Sequence, residues 1–276
     1  MKIKPYKNIG KQELFMGDCV NTLKSFKNES YDLICSSPPY NLKKKYGKKY
    51  NDNLPYQDYL KWMDDVMEQL YRVLDDSGSL FLNVGAAPKN PYIDIDVLSQ
   101  ARKHFVLQNR IIWVKSISIG DVNYGHFKPL NSKRFINDMF EHVYHLTKNG
   151  DVKLDRLAVG VPYSDKSNIG RWNAVNGDLR CRGNVWFIPY KTITHKEERA
   201  NHPAIYPEKL VDNCMMLHGL DRIDKVLDPF LGTGTTLVVA EKHKKIGNGI
   251  DINPDYLDQS YNRISEAIHS DLFHNL

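Results

Sequence analysis

An α/β protein with an open, mostly parallel sheet flanked by helices is what this 276-residue sequence predicts. Three observations lead there. Short apolar runs of strand length alternate with longer stretches whose apolar residues recur every three or four positions, the rhythm of βαβ units. One run, Val226-Leu227-Asp228, ends in a glycine-spaced turn, Pro229-Phe230-Leu231-Gly232-Thr233-Gly234, that opens into a helix-forming stretch at Thr235. The length suffices for one large α/β core with a modest inserted region.

Taken in order, residues 13–16 form a short strand that delivers Gly17-Asp18, and 20–26 a short helix. Residues 31–35 are a buried strand. Tyr59, Trp62, Met63, Val66, Met67, Leu70, Val73 and Leu74 share one face of a long amphipathic helix. Gly78 is expected to stop that helix ahead of a strand at 79–84. A helix over 92–103, a strand over 107–114 and a further strand over 142–147 follow. Pro207 and Pro254 stand where helices begin, a position at which a missing N–H costs nothing. Between them lie the strand ending at Asp228, the helix through Leu237, Val238 and Ala240, and a strand at 245–250 that delivers Asp251. The last helix carries Leu257, Tyr261, Ile264 and Ile268 on one face.

Lys+Arg number 38 against 33 Asp+Glu, a formal charge of +5, too mild to imply nucleic acid by itself. The four cysteines, at 19, 35, 181 and 214, form no Cys-x-x-Cys pair, so neither a disulfide scaffold nor a metal site is expected. No apolar run approaches the length of a membrane span and the start is not signal-like, so a soluble, cytoplasmic protein is expected.

Two segments carry chemistry. Ser37-Pro38-Pro39-Tyr40 follows the strand at 31–35. A proline pair cannot continue a ladder, because each proline lacks the N–H and fixes φ. The result is a rigid turn with a hydroxyl on one side and a ring on the other. A hydroxyl and a prolyl carbonyl can accept from an amino group while the ring stacks on a flat base; the bland alternative is a mere strand terminator. In the second segment, Gly232 and Gly234 allow a tight turn and close approach of the backbone to a ligand. Leu237 stands where a dinucleotide fingerprint would want glycine, and no Gly-Lys-Ser/Thr phosphate loop is present. Asp251 lies about twenty residues past the glycines, where an acid accepts from ribose hydroxyls; the alternative is a helix-start residue ahead of Asn253-Pro254.

Together these residues resemble the permuted, β-class DNA amino-methyltransferases that use S-adenosyl-L-methionine. The catalytic tetrad of that family matches Ser37-Pro38-Pro39-Tyr40, and its cofactor motif matches Asp228-Pro229-Phe230-Leu231-Gly232-Thr233-Gly234. Its Gly-Asp falls on Gly17-Asp18, its His-Pro-Ala stretch on His202-Pro203-Ala204-Ile205-Tyr206-Pro207-Glu208, and its closing block on Gly249-Ile250-Asp251-Ile252-Asn253-Pro254-Asp255-Tyr256. Catalytic block first and cofactor block last is the β-class order. The resemblance implies a Rossmann-like class I methyltransferase fold with circularly permuted motifs and an inserted target-recognition region. It divides the chain into a catalytic half, 1–115, the target-recognition region, 116–198, and a cofactor-binding half, 199–276.

What the resemblance implies for the site is specific. Ser37, Pro38, Pro39 and Tyr40 would be catalytic. Asp18, His202, Pro203, Ala204, Asp228, Phe230, Gly232, Gly234, Thr235 and Asp251 would bind the cofactor, with Phe230 flanking it and His202–Ala204 near its methionine moiety. Cys35, without the Pro-Cys arrangement of cytosine C5 enzymes, reads as a packed thiol. Duplex DNA is the implied partner, and a cognate restriction endonuclease and a homodimer are compatible with the family.

Residues 116–198 break the α/β rhythm and are rich in Gly, Asn, Lys and Arg. Long polar stretches inside compact domains are more often functional than idle. Arg171, Arg180 and Arg182 are candidate DNA contacts there, able to reach guanine edges, against the alternative of solvated charges. Lys43, Lys44, Lys45, Lys48 and Lys49 follow the tetrad directly. So many like charges repel unless something such as a phosphate backbone neutralises them; a solvated turn is the alternative.

The implied reaction is transfer of the methionine-borne methyl group to an exocyclic amine of an extruded base. In the family Ser-Pro-Pro-Tyr is usual for N4-cytosine and Asp-Pro-Pro-Tyr for N6-adenine, so N4-cytosine is expected and N6-adenine is the alternative. An enzyme acting on RNA or protein amines, or a non-catalytic DNA-binding module, stands further off.

Overall fold

The computed structural model describes residues 3–42, 52–86, 88, 90–125, 131–169, 171, 177–189 and 206–274. Its strands are β1 (Lys7–Ile9), β2 (Gln12–Met16), β3 (Tyr31–Ser36), β4 (Leu74–Val84), β5 (Val106–Val114), β6 (Ser116–Ile119), β7 (Val122–Gly125), β8 (Phe140–Thr147), β9 (Val185–Phe187), β10 (Lys225–Asp228) and β11 (Ile246–Asp251). Its α-helices are α1 (Cys19–Leu23), α2 (Tyr56–Val73), α3 (Ile93–Ala101), α4 (Glu208–His218), α5 (Thr235–Lys242) and α6 (Pro254–His274).

Nine strands form one sheet in the order β1-β2-β11-β10-β3-β4-β8-β5-β9. The five strands from β2 to β4 in that order run parallel. β8 is antiparallel to both neighbours, β4 and β5. From β10 the chain crosses through α5 to β11 on one side; from β3 it crosses through α2 to β4 on the other. The adjacent carboxyl ends of β10 and β3 therefore flank the point where the winding reverses, which is where open α/β sheets hold ligands.

Alternating side chains build a layer on each face of the sheet. Ile34, Leu80 and Leu82 pack with Met63, Met67 and Leu70 of α2. Leu33, Cys35 and Phe81 pack on the opposite face with Val211, Cys214 and Met215 of α4. A smaller cluster joins Leu14 to Leu237 of α5 and to Leu257 and Ile264 of α6. The last-helix stripe read from the sequence thus meets the core.

Two elements depart from the sequence reading. The long helix ends at Val73, and Leu74 already pairs with Tyr31 as the start of β4. Register jumps to Leu33 opposite Ser79, so residues 75–78 bulge from the strand. Asp75 Oδ1 closes the bulge by accepting from Ser77 N at 2.9 Å and Ser77 Oγ at 2.6 Å. Gly78 is therefore a bulge residue and not a helix stop: a Cβ there would lie 2.7 Å from Leu74 Cδ1. The second departure is in 116–198, which gives β9 as well as β8 to the sheet and carries the separate hairpin β6–β7. Among the described residues no helix is long and apolar enough to cross a membrane.

Candidate active site

A cleft with about 880 Å3 of empty space, its open mouth included, lies over the carboxyl ends of β10 and β3. That is the size of a small-molecule site. Gly17 and Asp18, after β2, form one part of its wall; Ser37, Pro38 and Pro39, after β3, form another. The turn after β10 supplies Phe230, Gly232 and Thr235, and the end of β11 supplies Asp251. Segments more than two hundred residues apart in the chain converge because their strands are neighbours in the sheet.

The tetrad is braced from three sides. Ser37 Oγ and Tyr40 OH are 2.8 Å apart. Tyr40 OH also lies 3.2 Å from Glu141 Oε2 and 3.3 Å from the Asn83 carbonyl. Tyr59 of α2 donates its OH to the Pro39 carbonyl at 2.9 Å. Below, Ser36 Oγ donates to Asp228 Oδ1, and Thr236 Oγ1 donates to the Cys35 carbonyl at 3.1 Å. The two chemistry-bearing turns are thereby bolted together under the cleft.

Asp251 holds the glycine turn. Its Oδ2 accepts from Gly232 N at 2.9 Å and its Oδ1 from Asn253 N at 2.8 Å. Gly232 has φ of 52°, in the left-handed region that a side chain disfavours. Burial pushes the Asp251 carboxyl up to about 6, against the pull of those backbone N–H groups. Asp18 Oδ1 caps α1 by accepting from Asn21 N at 2.9 Å.

Two expected cofactor contacts sit elsewhere. Asp228 is fully buried and does not line the cleft. Its carboxylate faces inward, accepting from Ser36, from Phe230 N at 3.0 Å and from Tyr206 OH at 3.0 Å. Burial raises its pKa, opposed by these donors. Gly234, with φ of 83°, turns away from the cleft: a Cβ there would lie 2.8 Å from Ser260 Cβ of α6. Both hold the turn's shape here. Tyr40 does not line this cleft either; it stands beside it, hydrogen-bonded to Ser37.

Arg171, Arg180 and Arg182 also lie off the cleft. Arg171 Nη1 donates to Asn168 Oδ1 at 3.1 Å, Arg180 pairs its backbone with Val161, and Arg182 Nε donates to the Val159 carbonyl at 2.8 Å. His202, Pro203, Ala204 and the lysines at 43, 44, 45, 48 and 49 lie outside the described residues. Cys35 is buried, and its contact with Cys214 together with burial pushes the thiol up, away from a nucleophile's range.

The sequence reading missed Trp62, whose ring lines the cleft 5.7 Å from that of Phe230. Its helical spacing marked it only as a core residue. Tyr206 was also missed; besides Asp228 it bonds Thr236 Oγ1 at 2.7 Å, and the buried phenol is held protonated, its pKa raised first by burial. The only signal for it was its place inside a motif.

This architecture is that of the class I S-adenosylmethionine-dependent methyltransferases. PvuII DNA methyltransferase (cytosine-N4-specific) matches with a TM-score of 0.71 at 22% identity, over 94% of this chain and 88% of that one. A Thermus thermophilus protein solved in complex with S-adenosyl-L-methionine matches with a TM-score of 0.61 at 23% identity, over 92% and 93%. In sequence, a DNA methylase model of the N6/N4 type matches residues 31–262. Type II methyltransferase M.BglII of Bacillus subtilis is 31% identical over 266 residues, 92% of this chain and 69% of that protein. DNA adenine methyltransferase YhdJ of Escherichia coli K12 is 29% identical over 92% of this chain and 82% of that one. The chain belongs to the N6/N4 DNA methylase family.

The cleft suits S-adenosylmethionine on its own chemistry. An acceptor carboxylate at Asp251, a backbone turn without a side chain at Gly232 and two aromatic rings, Phe230 and Trp62, answer a ribose, a close-lying chain and a flat base.

Proposed function

We propose that this protein methylates an exocyclic amine in duplex DNA, N4 of cytosine at a short fixed sequence. The observation that carries the reading is the shared cleft: Ser37, Pro38 and Pro39 form one wall and Phe230, Gly232 and Asp251 another. An amine held by the first wall lies beside a methyl donor held by the second. When bound, S-adenosylmethionine supplies the electrophilic methyl group.

Asp251 accepts from the ribose hydroxyls, Phe230 and Trp62 flank the adenine, and Gly232 and Thr235 shape the turn against the nucleoside. Asp18 faces the adenine side, and His202, Pro203 and Ala204 belong near the methionine moiety. Ser37 Oγ and the Pro38 carbonyl accept the amine hydrogens. That favours a nitrogen whose lone pair is released from the ring, and most of the rate comes from this alignment. Tyr40 stacks on a base extruded from the duplex, since a stacked base cannot present its amine to a cleft. Lys43, Lys44, Lys45, Lys48, Lys49, Arg171, Arg180 and Arg182 face the DNA. The Type II name of M.BglII supports a restriction–modification setting with a cognate endonuclease.

Ser37 at the head of the tetrad supports cytosine. The 29% identity to an adenine methyltransferase supports N6-adenine as the second reading. The test is incubation of the protein and S-adenosylmethionine with duplex DNA, then mass spectrometry of the digested nucleosides. N4-methylcytosine is expected; N6-methyladenine would select the second reading, and 5-methylcytosine or no transfer would overturn both.

A further inference from the structure

Glu141 enters the site from β8, the strand that runs against its neighbours, and no motif of the sequence points to it. In register it stands beyond the pairing of Val84 with His142, across from Gly85. A Cβ at Gly85 would come within 2.8 Å of Glu141 Cγ and Cδ, so the missing side chain makes room for the carboxylate. Glu141 Oε1 accepts from Lys115 Nζ at 2.9 Å, and Oε2 accepts from Asn83 Nδ2 at 3.0 Å. Both charged side chains are largely buried, at 15% exposure for Lys115 and 12% for Glu141. Such a carboxylate is fixed in place.

The consequence concerns the direction of the hydrogen bonds around Tyr40. Its phenol has one proton. Two of its neighbours, Glu141 Oε2 at 3.2 Å and the Asn83 carbonyl at 3.3 Å, can only accept. Ser37 Oγ, at 2.8 Å, can do either. The phenol proton therefore belongs to the acceptor-only pair, with the charged carboxylate the stronger of the two. The phenol oxygen is left to accept from Ser37. The Ser37 proton is then committed to Tyr40, and its lone pairs face outward as acceptors.

We propose that Glu141 is a positioning residue that, through Tyr40, makes the Ser37 hydroxyl an obligate acceptor for the hydrogens of the target amine. This rests on the assignment of Ser37 to the amine. A serine whose proton pointed at the amine would donate to the nitrogen lone pair and tie up the electrons that must form the new bond. The Glu141–Tyr40–Ser37 chain prevents that orientation. It transfers no proton of its own; it sets which way one hydroxyl faces.

The test is Glu141→Gln, with single-turnover methyl transfer read alongside S-adenosylmethionine affinity by calorimetry. Lys115 has only protons to offer, so the Gln oxygen turns to it and the amide N–H groups face Tyr40. The phenol then receives a proton where it gave one, and the chain loses its direction. The transfer rate should fall by on the order of tenfold or more with cofactor affinity unchanged. The same substitution in a Tyr40→Phe background, which keeps the ring and deletes the hydroxyl, should cost less than about twofold, since coupled residues are not additive. An equal loss in both backgrounds, or a loss of cofactor affinity matching the loss of rate, would overturn the proposal by showing that Glu141 merely supports the fold. Ser37→Ala separates the two readings. If it is inactive while Glu141→Gln transfers at the wild-type rate, this inference alone fails; if Ser37→Ala remains fully active, the amine assignment fails with it.

Discussion

Asp251 Oδ2 accepts the Gly232 N–H at 2.9 Å, so the acid that ends β11 holds the turn that follows β10. One carboxylate both fixes the turn and lines the cleft, and burial raises its pKa to about 6. Its proton is held more tightly in the fold than in the unfolded chain. Its contribution to stability is therefore present at low pH and is lost as pH rises through about 6. The proposed ribose contact has the opposite preference, because the ionised form is the better acceptor for hydroxyls. S-adenosylmethionine affinity should weaken as pH falls below about 6, approaching tenfold per pH unit. Asp251→Asn should bind more weakly and lose this dependence. Calorimetry from about pH 5 to 8 decides it: a wild-type affinity flat across that range would remove Asp251 from the ribose.

Gly234 separates shape from contact. A side chain there meets two obstacles, a φ of 83° and Ser260 Cβ at 2.8 Å, neither of which faces the cleft. Gly234→Ala should lower folding stability by about 1–3 kcal/mol for the backbone strain alone, more if α6 cannot shift. The folded fraction should bind S-adenosylmethionine with nearly unchanged affinity. Urea unfolding combined with titration of cofactor below the transition measures both. A stable variant that has lost the cofactor would return Gly234 to the binding surface.

What the sequence made legible follows from what periodicity encodes. The order of strands and helices, the face of α6 and the turn at Asp228–Thr235 were read because each depends on residues close together in the chain. The end of α2 was misread since Gly78 looked like a stop, whereas Leu74 is drawn into the sheet by pairing with Tyr31. The antiparallel β8 between β4 and β5 was not foreseen, because a strand's own pattern does not name its partners. Glu141 depends on that insertion and was invisible for the same reason. For Asp228 and Gly234 the motif does not say which way each faces: Asp228 turns inward to Ser36 and Tyr206, and Gly234 packs against Ser260. Trp62 shows a third limit: helical spacing tells which face a residue occupies, not whether it stands at the rim of the sheet or behind it.

A buried polar chain links four elements, β4, β5, β8 and α4. Asn109 Nδ2 donates to His145 Nδ1 at 3.0 Å; His145 Nε2 meets Ser79 Oγ at 2.9 Å, and that hydroxyl meets His218 Nδ1 at 2.9 Å. Burial holds His145 down at about 3 and His218 at about 4, so both are neutral in the fold. The unfolded chain takes up protons below about pH 6.5. Stability should therefore fall as pH drops from about 6.5 toward 4, by on the order of 1.4 kcal/mol per pH unit for each histidine. The sign is opposite to that of Asp251. Urea midpoints should fall between about pH 7.5 and 4.5, less steeply below about 6 where Asp251 opposes the histidines, and His218→Gln should make the fall shallower. An identical slope in the variant would move the acid sensitivity to other groups.

Asn41 and Leu42, just after the tetrad, are tied to residues 52–54. Asp52, nearly fully buried, accepts from Asn41 N at 2.9 Å and Leu42 N at 3.0 Å, and the Asn41 side chain brackets Leu54 with bonds of 2.9 and 2.8 Å. Lys43, Lys44, Lys45, Lys48 and Lys49, between these two described ends in sequence, lie outside the described residues, and their proposed role is contact with the phosphate backbone. Changing the five lysines together to Gln should weaken binding to specific and random DNA by similar factors, because phosphate contacts carry little sequence information. Each lost contact should also reduce the slope of log K against log salt by about 0.9 on duplex DNA. Cofactor affinity should not change, which guards against a folding defect. Binding measured at several salt concentrations gives the result: a slope equal to that of the wild type would place these lysines away from the phosphate backbone and make them a solvated turn.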